Sequence, residues 1–425
     1  MGYEEIIKTK RATFYTVFLI IMSVFLNQSN IIFGVNISIS DIFAGLIILI
    51  MIFSKRFIIP LKEFVFFLVL SISVVFTSSV LVPMMFDFSV NHNHIFRDYI
   101  KLVVIFIYFL IGFNSCRDHD SEKIIKFFSI GTLIIGIISV LYSFFNLSFY
   151  SNTLYFGGVR FRGLMNDPNY FSILQLAGIA YYIRVKELNS TIKAFILLTL
   201  TFSIIVSGSK TGFITLLLYG LIYFFNVLSN KKRSYDKIFR NLLIVVLGLL
   251  VTIMLIQFSD SLIEPITNKF PITKRIFTVF EDFGSSVSSG GSSRSRVWSM
   301  AFELITKSPL FGIGVGTYVD LSRYLYNYGA IAHNTYLQLM VEWGGILTFV
   351  FLLYLFKNLY RVAKRKAYNL NVAVSSDIII IFLIGSLAIS LNNARFFWIV
   401  LGIIISSNRR VLNNKHRPRG GKDSE

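Results

Sequence analysis

Charged residues are scarce in this sequence, while long apolar runs are abundant. Only 15% of the 425 residues are charged, 55% are hydrophobic, and the mean hydropathy is +0.68. Soluble domains usually have about a quarter of their residues charged. A lipid bilayer accommodates apolar surface, and a chain crosses it in helices of roughly 20 residues because the backbone must satisfy its own hydrogen bonds there. The composition therefore excludes a soluble protein and predicts an all-α, polytopic integral membrane protein.

Cysteine is nearly absent, and so are the patterns that depend on it. Cys116 is the single cysteine, which excludes a disulfide within the chain, and no Cys/His spacing suggests zinc. We expect neither a metal nor a cofactor. The apolar run that begins at Thr13 lacks a small-residue cleavage pattern, so the first span is expected to remain in place rather than act as a cleaved signal.

Apolar runs bounded by polar or charged clusters predict about twelve transmembrane helices. Their boundaries are expected to be uncertain by roughly 2–4 residues. The chain is interpreted as a single transmembrane domain, 1–425. The predicted spans are 13–33, 37–53, 58–82, 99–113, 124–145, 170–183, 193–207, 211–228, 240–258, 333–356, 374–391 and 395–407.

Acidic residues are outnumbered by basic ones, 22 to 41, which gives a formal net charge of +19. In a soluble protein this imbalance would suggest nucleic acid. In a membrane protein the first explanation is topology, because cytoplasmic loops collect Lys and Arg. Most of the basic residues fall in alternate loops of the twelve-span arrangement. We therefore expect an even number of spans, both termini in the cytoplasm and no nucleic-acid partner.

One predicted external segment, 259–332, is much longer than the others. Its centre, 284–293, is rich in Gly and Ser and is expected to be a mobile loop. Apolar residues then recur at helical spacing, which predicts an amphipathic helix over 294–307 near the outer surface, ended by Pro309. The polar, basic segment 408–425 is predicted to be a disordered cytoplasmic tail.

Several basic residues break the topology pattern because they fall on the predicted outer side. Arginine presents a planar fork of donors that suits phosphate or carboxylate oxygens. A common anionic partner at the outer membrane boundary explains them, and contact with lipid headgroups or water explains them equally well. These residues are Arg160, Arg162, Lys210, Arg294, Arg296 and Arg395.

A polar stripe runs along the tenth predicted span. Asn334, Gln338 and Glu342 are spaced by four and share one helix face. A carboxylate at that depth is costly unless it is paired, so Glu342 is interpreted as structural and held by an Arg or Lys. His333 lies at the outer mouth, where an imidazole can act as a general base near neutral pH.

The ordered motifs between about 155 and 350 resemble the O-antigen polymerase and ligase superfamily. Each motif is short, but together they follow the family's order on a twelve-span frame. Lys210 stands where the family usually has Arg. The motifs are Arg160-Phe-Arg-Gly-Leu-Met-Asn-Asp-Pro-Asn169, Ser207-Gly-Ser-Lys210, Gly291-Ser-Ser-Arg-Ser-Arg-Val-Trp298, Ser308-Pro-Leu-Phe-Gly-Ile-Gly-Val-Gly316, His333-Asn334 and Glu342-Trp-Gly-Gly345.

The resemblance implies a GT-C-like, metal-independent glycosyltransferase in the bacterial cytoplasmic membrane, with its active site on the outer side. Its donor would be a glycan on undecaprenyl pyrophosphate. By resemblance, the best candidates for holding the diphosphate are Arg162, Lys210 and Arg296, with Arg160 and Arg294 as near alternates. His333 would orient or deprotonate the acceptor hydroxyl. The remaining candidates for substrate contact are Asn169, Asn334 and Glu342.

Four functions remain open. The first is a polymerase that joins lipid-linked repeat units of O-antigen, capsule or exopolysaccharide, with a flippase and a chain-length regulator as partners. The second is a ligase that passes glycan to lipid A core or another acceptor. The third is a transporter or flippase, which would have midplane charges and paired repeats that are not evident here. The fourth is a structural membrane protein whose external basic residues could be replaced by Gln without loss of product.

Overall fold

The structure is a computed structural model that describes residues 3–29, 37–116, 119–228, 272, 275–276, 294–364 and 369–415. The predicted span 240–258 and the Gly/Ser-rich segment 284–293 lie outside the described residues. Each of the other predicted spans overlaps a helix, although the bounds differ.

The described chain is helical apart from one short hairpin and the connecting turns. The helices are α1 (Tyr3–Phe25), α2 (Ile39–Phe53), α3 (Leu61–Phe76), α4 (Val82–Phe86), α5 (His92–Ser115), α6 (Asp120–Phe145), α7 (Ser151–Leu154), α8 (Pro168–Arg184), α9 (Ser190–Val206), α10 (Lys210–Leu228), α11 (Arg294–Lys307), α12 (Tyr318–Tyr326), α13 (Thr335–Ala363), α14 (Leu370–Gly385) and α15 (Arg395–Lys415). A π-helical turn, Thr77–Leu81, joins α3 to α4, and the hairpin pairs β1 (Tyr155–Phe156) with β2 (Arg160–Phe161).

Four helices in the described part of the chain are long and apolar enough to cross a membrane. They are Leu61–Phe86, Asp120–Phe145, Lys210–Val227 and Thr335–Ala363. Shorter apolar helices accompany them at Phe14–Phe25, Ile39–Phe53, Ser190–Val206 and Leu370–Gly385. The prediction of an all-α polytopic membrane protein is confirmed, whereas the number of twelve spans stays a prediction.

The amphipathic helix predicted over 294–307 is present as α11, with the same bounds. Val297, Met300, Ala301 and Leu304 are buried along one face, as their helical spacing predicted. The C-terminal helix α15 differs from its prediction, because it continues to Lys415 instead of ending before 408. The rest of the predicted tail, 416–425, lies outside the described residues.

Three carboxylates tie distant helices together, and each accepts hydrogen bonds from one arginine and one tyrosine. Glu63 and Asp377 are buried, and Asp41 is half-buried. Charge removed from water is tolerated when it is paired and hydrogen-bonded. Arg395, an external cation in the sequence interpretation, is thus a structural partner of α2. The three sets are Asp41 with Arg395 and Tyr108, Asp377 with Arg184 and Tyr219, and Glu63 with Arg409 and Tyr354.

The segment between α11 and α12 packs into a kink of α13. Gly344 breaks the helical geometry there with φ 77°, and a Cβ at this position would lie 2.2 Å from the Leu310 carbonyl oxygen. The backbone N–H of Ile313 donates to Val341 O at 2.7 Å, and that of Gly345 donates to Pro309 O at 2.8 Å. Only glycine accepts this close approach with positive φ, so the kink fixes α11 relative to α13.

Loss of the Asp41 charge is expected to destabilise the fold. Arg395 and Asp41 have side chains only 14% exposed and form two hydrogen bonds of 2.6 Å. Asp41→Asn keeps the shape but leaves a buried guanidinium without a counter-ion, which should lower the free energy of unfolding by about 3–5 kcal/mol. Thermal unfolding of the purified protein measures the change.

A matched control is Asp98→Asn, which removes the partner of Lys101 in a pair whose side chains are 33% and 37% exposed. That substitution should cost less than about 1 kcal/mol. Equal shifts in the unfolding midpoint for Asp41→Asn and Asp98→Asn would show that the α2–α15 pair does not stabilise the fold.

Candidate functional site

The hairpin between α7 and α8 positions Arg160. Its register pairs Tyr155 with Phe161 and Phe156 with Arg160. Phe161 is fully buried, and its ring lies 5.4 Å from that of Tyr155 and 5.5 Å from that of Phe171, both edge-on. Such aromatic packing holds a short hairpin that would be unstable alone. Arg160 is therefore fixed beside the start of α8.

Arg160 meets two of the sequence motifs through one hydrogen-bond network. Its Nη2 donates to Asn169 Oδ1 at 3.0 Å, and its Nε donates to the Ser207 carbonyl at 3.2 Å. Ser209 Oγ donates to the same Asn169 oxygen at 2.9 Å. Lys210 follows directly as the first residue of α10. The structure thus brings together Arg160, Asn169 and the Ser207–Lys210 turn.

Arg294 and His333 come from two further elements that are linked to each other. Arg294 begins α11, and one turn later Trp298 Nε1 donates to the Ala332 carbonyl at 2.9 Å. This bond holds Ala332, the residue before His333. His333 itself has a left-handed backbone with φ 48°. His333 is followed by Asn334, the N-cap of α13. The N-terminal ends of α11 and α13 are therefore held together.

Charges from these separate segments act on one another. Burial lowers the pKa of Arg160 to about 10, and the like charges of Arg275 and Arg294 act in the same direction, whereas Asp167 opposes them. Burial and Arg275 also lower the pKa of Arg294. We call Arg160, Arg275 and Arg294, together with Asp167, the cationic cluster. It contains three guanidinium groups and one carboxylate, so it carries net positive charge at neutral pH.

His333 borders the cationic cluster. Burial lowers its pKa from the usual 6.5, Asp167 acts against this change, and Arg294 adds to it. The imidazole is therefore neutral at pH 7, which is the form that accepts a proton. A proton acceptor beside a positively charged, partly buried cluster is the arrangement expected at a site that binds an anion and activates a hydroxyl.

Two of the predicted cations, Arg162 and Arg296, make their contacts outside the cationic cluster. Arg162 donates from Nε to the Thr153 carbonyl at 3.1 Å and from Nη2 to the Asn152 carbonyl at 3.2 Å. Arg296 is exposed, and its guanidinium carbon lies 4.6 Å from the centre of the Tyr328 ring. Neither residue is among the charges acting on Arg160, Arg294 or His333. Their catalytic roles stay predictions.

Asn334 and Glu342 have structural partners. Asn334 Oδ1 accepts from the Tyr336 N–H at 2.9 Å, and its Nδ2 donates to the Leu387 carbonyl at 3.0 Å. Glu342 is buried and accepts from Gln338 Nε2 at 2.7 Å. Among the described residues, no Arg or Lys forms an ion pair with Glu342, which differs from the partner that its depth predicted. Roles in substrate contact for Asn334 and Glu342 stay predictions.

Sequence reasoning did not single out Asp167 and Arg275. Asp167 lies inside the Arg160–Asn169 motif, and its Oδ1 caps α8 by accepting from the Asn169 N–H at 2.6 Å and the Tyr170 N–H at 3.1 Å. An Asp directly before Pro is a recognisable helix start, so this position could have been found. Arg275 had only its place in the long external segment as a signal.

The fold is that of a polytopic membrane protein, and it carries a cationic cluster. A family model described as O-Antigen ligase matches residues 195–352. That range contains Lys210, Arg275, Arg294 and His333. The resemblance of the motifs to the O-antigen ligase and polymerase superfamily is thereby confirmed.

A named relative is the ComP-specific O-oligosaccharyltransferase of Acinetobacter baylyi. It is 24% identical over 352 residues, which cover 76% of this chain. The match covers 58% of the relative, so this chain spans little more than half of that protein's length.

Inorganic pyrophosphate is expected to bind at the cationic cluster. Arg160→Gln removes a charge-assisted contact there, which is worth about 1.5–3 kcal/mol and should weaken binding about tenfold to a hundredfold. Arg162→Gln is the matched control, two residues away in the same hairpin, and should leave binding nearly unchanged. Calorimetric titration of the purified protein measures both. An equal loss for the two variants, or a loss confined to Arg162→Gln, would contradict this assignment.

Proposed function

We propose that this protein is a polysaccharide polymerase of the bacterial cytoplasmic membrane. It transfers the growing glycan from undecaprenyl pyrophosphate to the next lipid-linked repeat unit on the outer side of the membrane, and both of its termini are cytoplasmic. The observation that supports the proposal best is the cationic cluster, in which Arg275 and Arg294 lower the pKa of Arg160, and Asp167 opposes them.

The diphosphate of the donor is the anion that suits this cluster. When the glycosidic bond to the carrier breaks, negative charge develops on the leaving diphosphate, and nearby guanidinium groups stabilise it most at that point. At an effective dielectric constant near 20, one charge pair at about 4 Å contributes roughly 4 kcal/mol before desolvation. We assign this role to Arg160 and Arg294, the near alternates in the sequence, with Arg275 and Lys210 as further cations.

Glycosyl transfer also needs a base for the acceptor hydroxyl, and His333 is assigned that role. Its neutral imidazole can take the proton as the hydroxyl oxygen attacks the anomeric carbon. The positive charge that forms on His333 would be stabilised by Asp167. Asn169 and Ser209, which share a hydrogen bond beside Arg160, can orient oxygens of the diphosphate or the first sugar.

A ligase is the second candidate, and the names of the matching family and of the relative support it without separating it from a polymerase. The matching family model is described as O-Antigen ligase, and the relative is named an O-oligosaccharyltransferase. The donor chemistry is shared, so the difference lies in the acceptor: a repeat unit on the carrier for a polymerase, and lipid A core or a protein hydroxyl for a ligase. For the polymerase, a flippase and a chain-length regulator are proposed partners.

Glycan analysis of the host tests the function. A gene deletion is compared with complementation by wild type, Arg160→Gln, Arg162→Gln and His333→Ala, with the membrane level of each variant checked by immunoblot. A polymerase predicts single repeat units in the deletion, a ladder restored by wild type and Arg162→Gln, and a reduction of about 10²–10⁴-fold in His333→Ala because its base is lost.

Other outcomes of the same experiment point elsewhere. Long chains that accumulate on the lipid carrier would identify a ligase that uses the same site. Unchanged surface and lipid-linked glycan in the deletion would contradict glycosyl transfer altogether.

The pH dependence of transfer tests the role of His333. Because its pKa is lowered, the neutral base persists below pH 6.5, and the acid limb of kcat/KM should lie below that value. Asp167→Asn removes the group that raises this pKa, so the limb should move to lower pH, while Asn can still cap α8. Arg294→Gln removes a group that lowers it, so the limb should move to higher pH. Shifts in the same direction would contradict His333 as the base.

A further inference from the structure

A cavity of about 280 Å³ lies between α3, α5, α13 and α15, apart from the cationic cluster. Two of its walls belong to candidate membrane spans, Leu61–Phe86 and Thr335–Ala363. Leu70, Ile105 and Leu401 are buried at its floor, while Val350 is 46% exposed. A cavity that is buried at the floor and exposed at one edge within membrane-spanning helices faces the lipid.

Aromatic rings line two sides of this cavity. On one side, the rings of Phe67 and Phe106 stack with their centres 4.2 Å apart. On the other side, Phe351 lies 5.5 Å from Trp343 and 5.5 Å from Trp398, measured between ring centres. Rings that pack against each other hold their positions, so the cavity keeps its width without a filling side chain. The lining suits a flexible hydrocarbon chain.

The polar lining residues are Lys62, Glu63 and Tyr354. Lys62 and Glu63 stand in the first turn of α3. Tyr354 donates a hydrogen bond to Glu63, and Arg409 forms an ion pair with the same carboxylate. The Lys62 ammonium has no ion-pair partner in the part of the chain that the structure describes. The mouth therefore carries one net positive charge above an apolar interior.

We propose that this cavity binds one anionic phospholipid, with an acyl chain along the aromatic walls and the phosphate at Lys62. The juxtaposition of a cationic mouth and an apolar interior matches the two parts of such a molecule. Basic residues at the membrane surface attract anionic headgroups, and each contributes about 1 kcal/mol. The site is separate from glycosyl transfer, so it holds whether or not the proposed function does.

Native mass spectrometry of the purified protein with added lipid tests the proposal. The probes are phosphatidylglycerol, whose headgroup carries one net negative charge, and phosphatidylcholine, whose headgroup is neutral overall. We expect one retained phosphatidylglycerol and weaker retention of phosphatidylcholine. Lys62→Gln should weaken the binding of phosphatidylglycerol about fivefold and leave the binding of phosphatidylcholine unchanged. Lys186→Gln, at an exposed residue after α8, is the matched control and should change neither.

A second pair of variants tests the acyl chain. Val350→Trp places a large ring over the cavity and should reduce retention of both lipids, whereas Phe349→Trp, at the neighbouring residue that is 63% exposed and outside the lining, should not. Equal retention of the two lipids with no effect of Lys62→Gln would overturn the headgroup assignment. Retention unaffected by Val350→Trp, or displacement of phosphatidylglycerol by an equimolar polyprenyl phosphate, would overturn the choice of occupant.

Discussion

This structure depends on one constraint: a charged side chain that is removed from water must be neutralised by a partner of opposite charge. Three buried or half-buried carboxylates are each neutralised by an arginine and also accept a hydrogen bond from a tyrosine hydroxyl. Removal of charge from water costs several kcal/mol per ion unless a partner and hydrogen bonds replace the solvent. Each set therefore fixes a helix end against another helix. Because these ion pairs account for the charged groups, the apolar faces of the helices can pack through shape complementarity.

The cationic cluster departs from this balance. It contains three arginines and one carboxylate, and Asp167 already uses an oxygen to cap α8. The hairpin supplies Arg160 and α11 supplies Arg294, so like charges from separate elements act on each other there. The kink of α13 at Gly344 completes the arrangement, since it positions α11 against the helix that follows His333. The ion-pair sets are therefore neutral overall, whereas the cationic cluster keeps a net positive charge.

Much of the fold could be predicted from hydropathy, because a span is a local property of the sequence. The bounds of α11 were equally local, set by an apolar stripe and by Pro309. The pairing of Asp41 with Arg395 could not be predicted, since the two residues lie 354 positions apart and composition does not specify which helices meet. The packing of Gly312 against the α13 kink could not be predicted either, because it depends on the tertiary structure.

For the candidate site, the motifs predicted the correct segments but not which residue in each acts. Arg160 and Arg162 are two positions apart, and residues so spaced share a strand face, so the pattern could not rank them. Their hydrogen-bond partners differ. Arg160 donates to the side-chain oxygen of Asn169 and to a buried carbonyl, whereas Arg162 donates to exposed carbonyls of α7. Asp167 escaped notice because a helix cap accounts for it completely in sequence terms.

The unbalanced charge of the cationic cluster has an energetic consequence for folding. Burial is the main cause of the lowered pKa values of Arg160 and Arg294, and the like charge of Arg275 lowers both further, so the charged cluster opposes folding. An anion bound among them removes the repulsion, so part of its binding free energy appears as stability of the folded state.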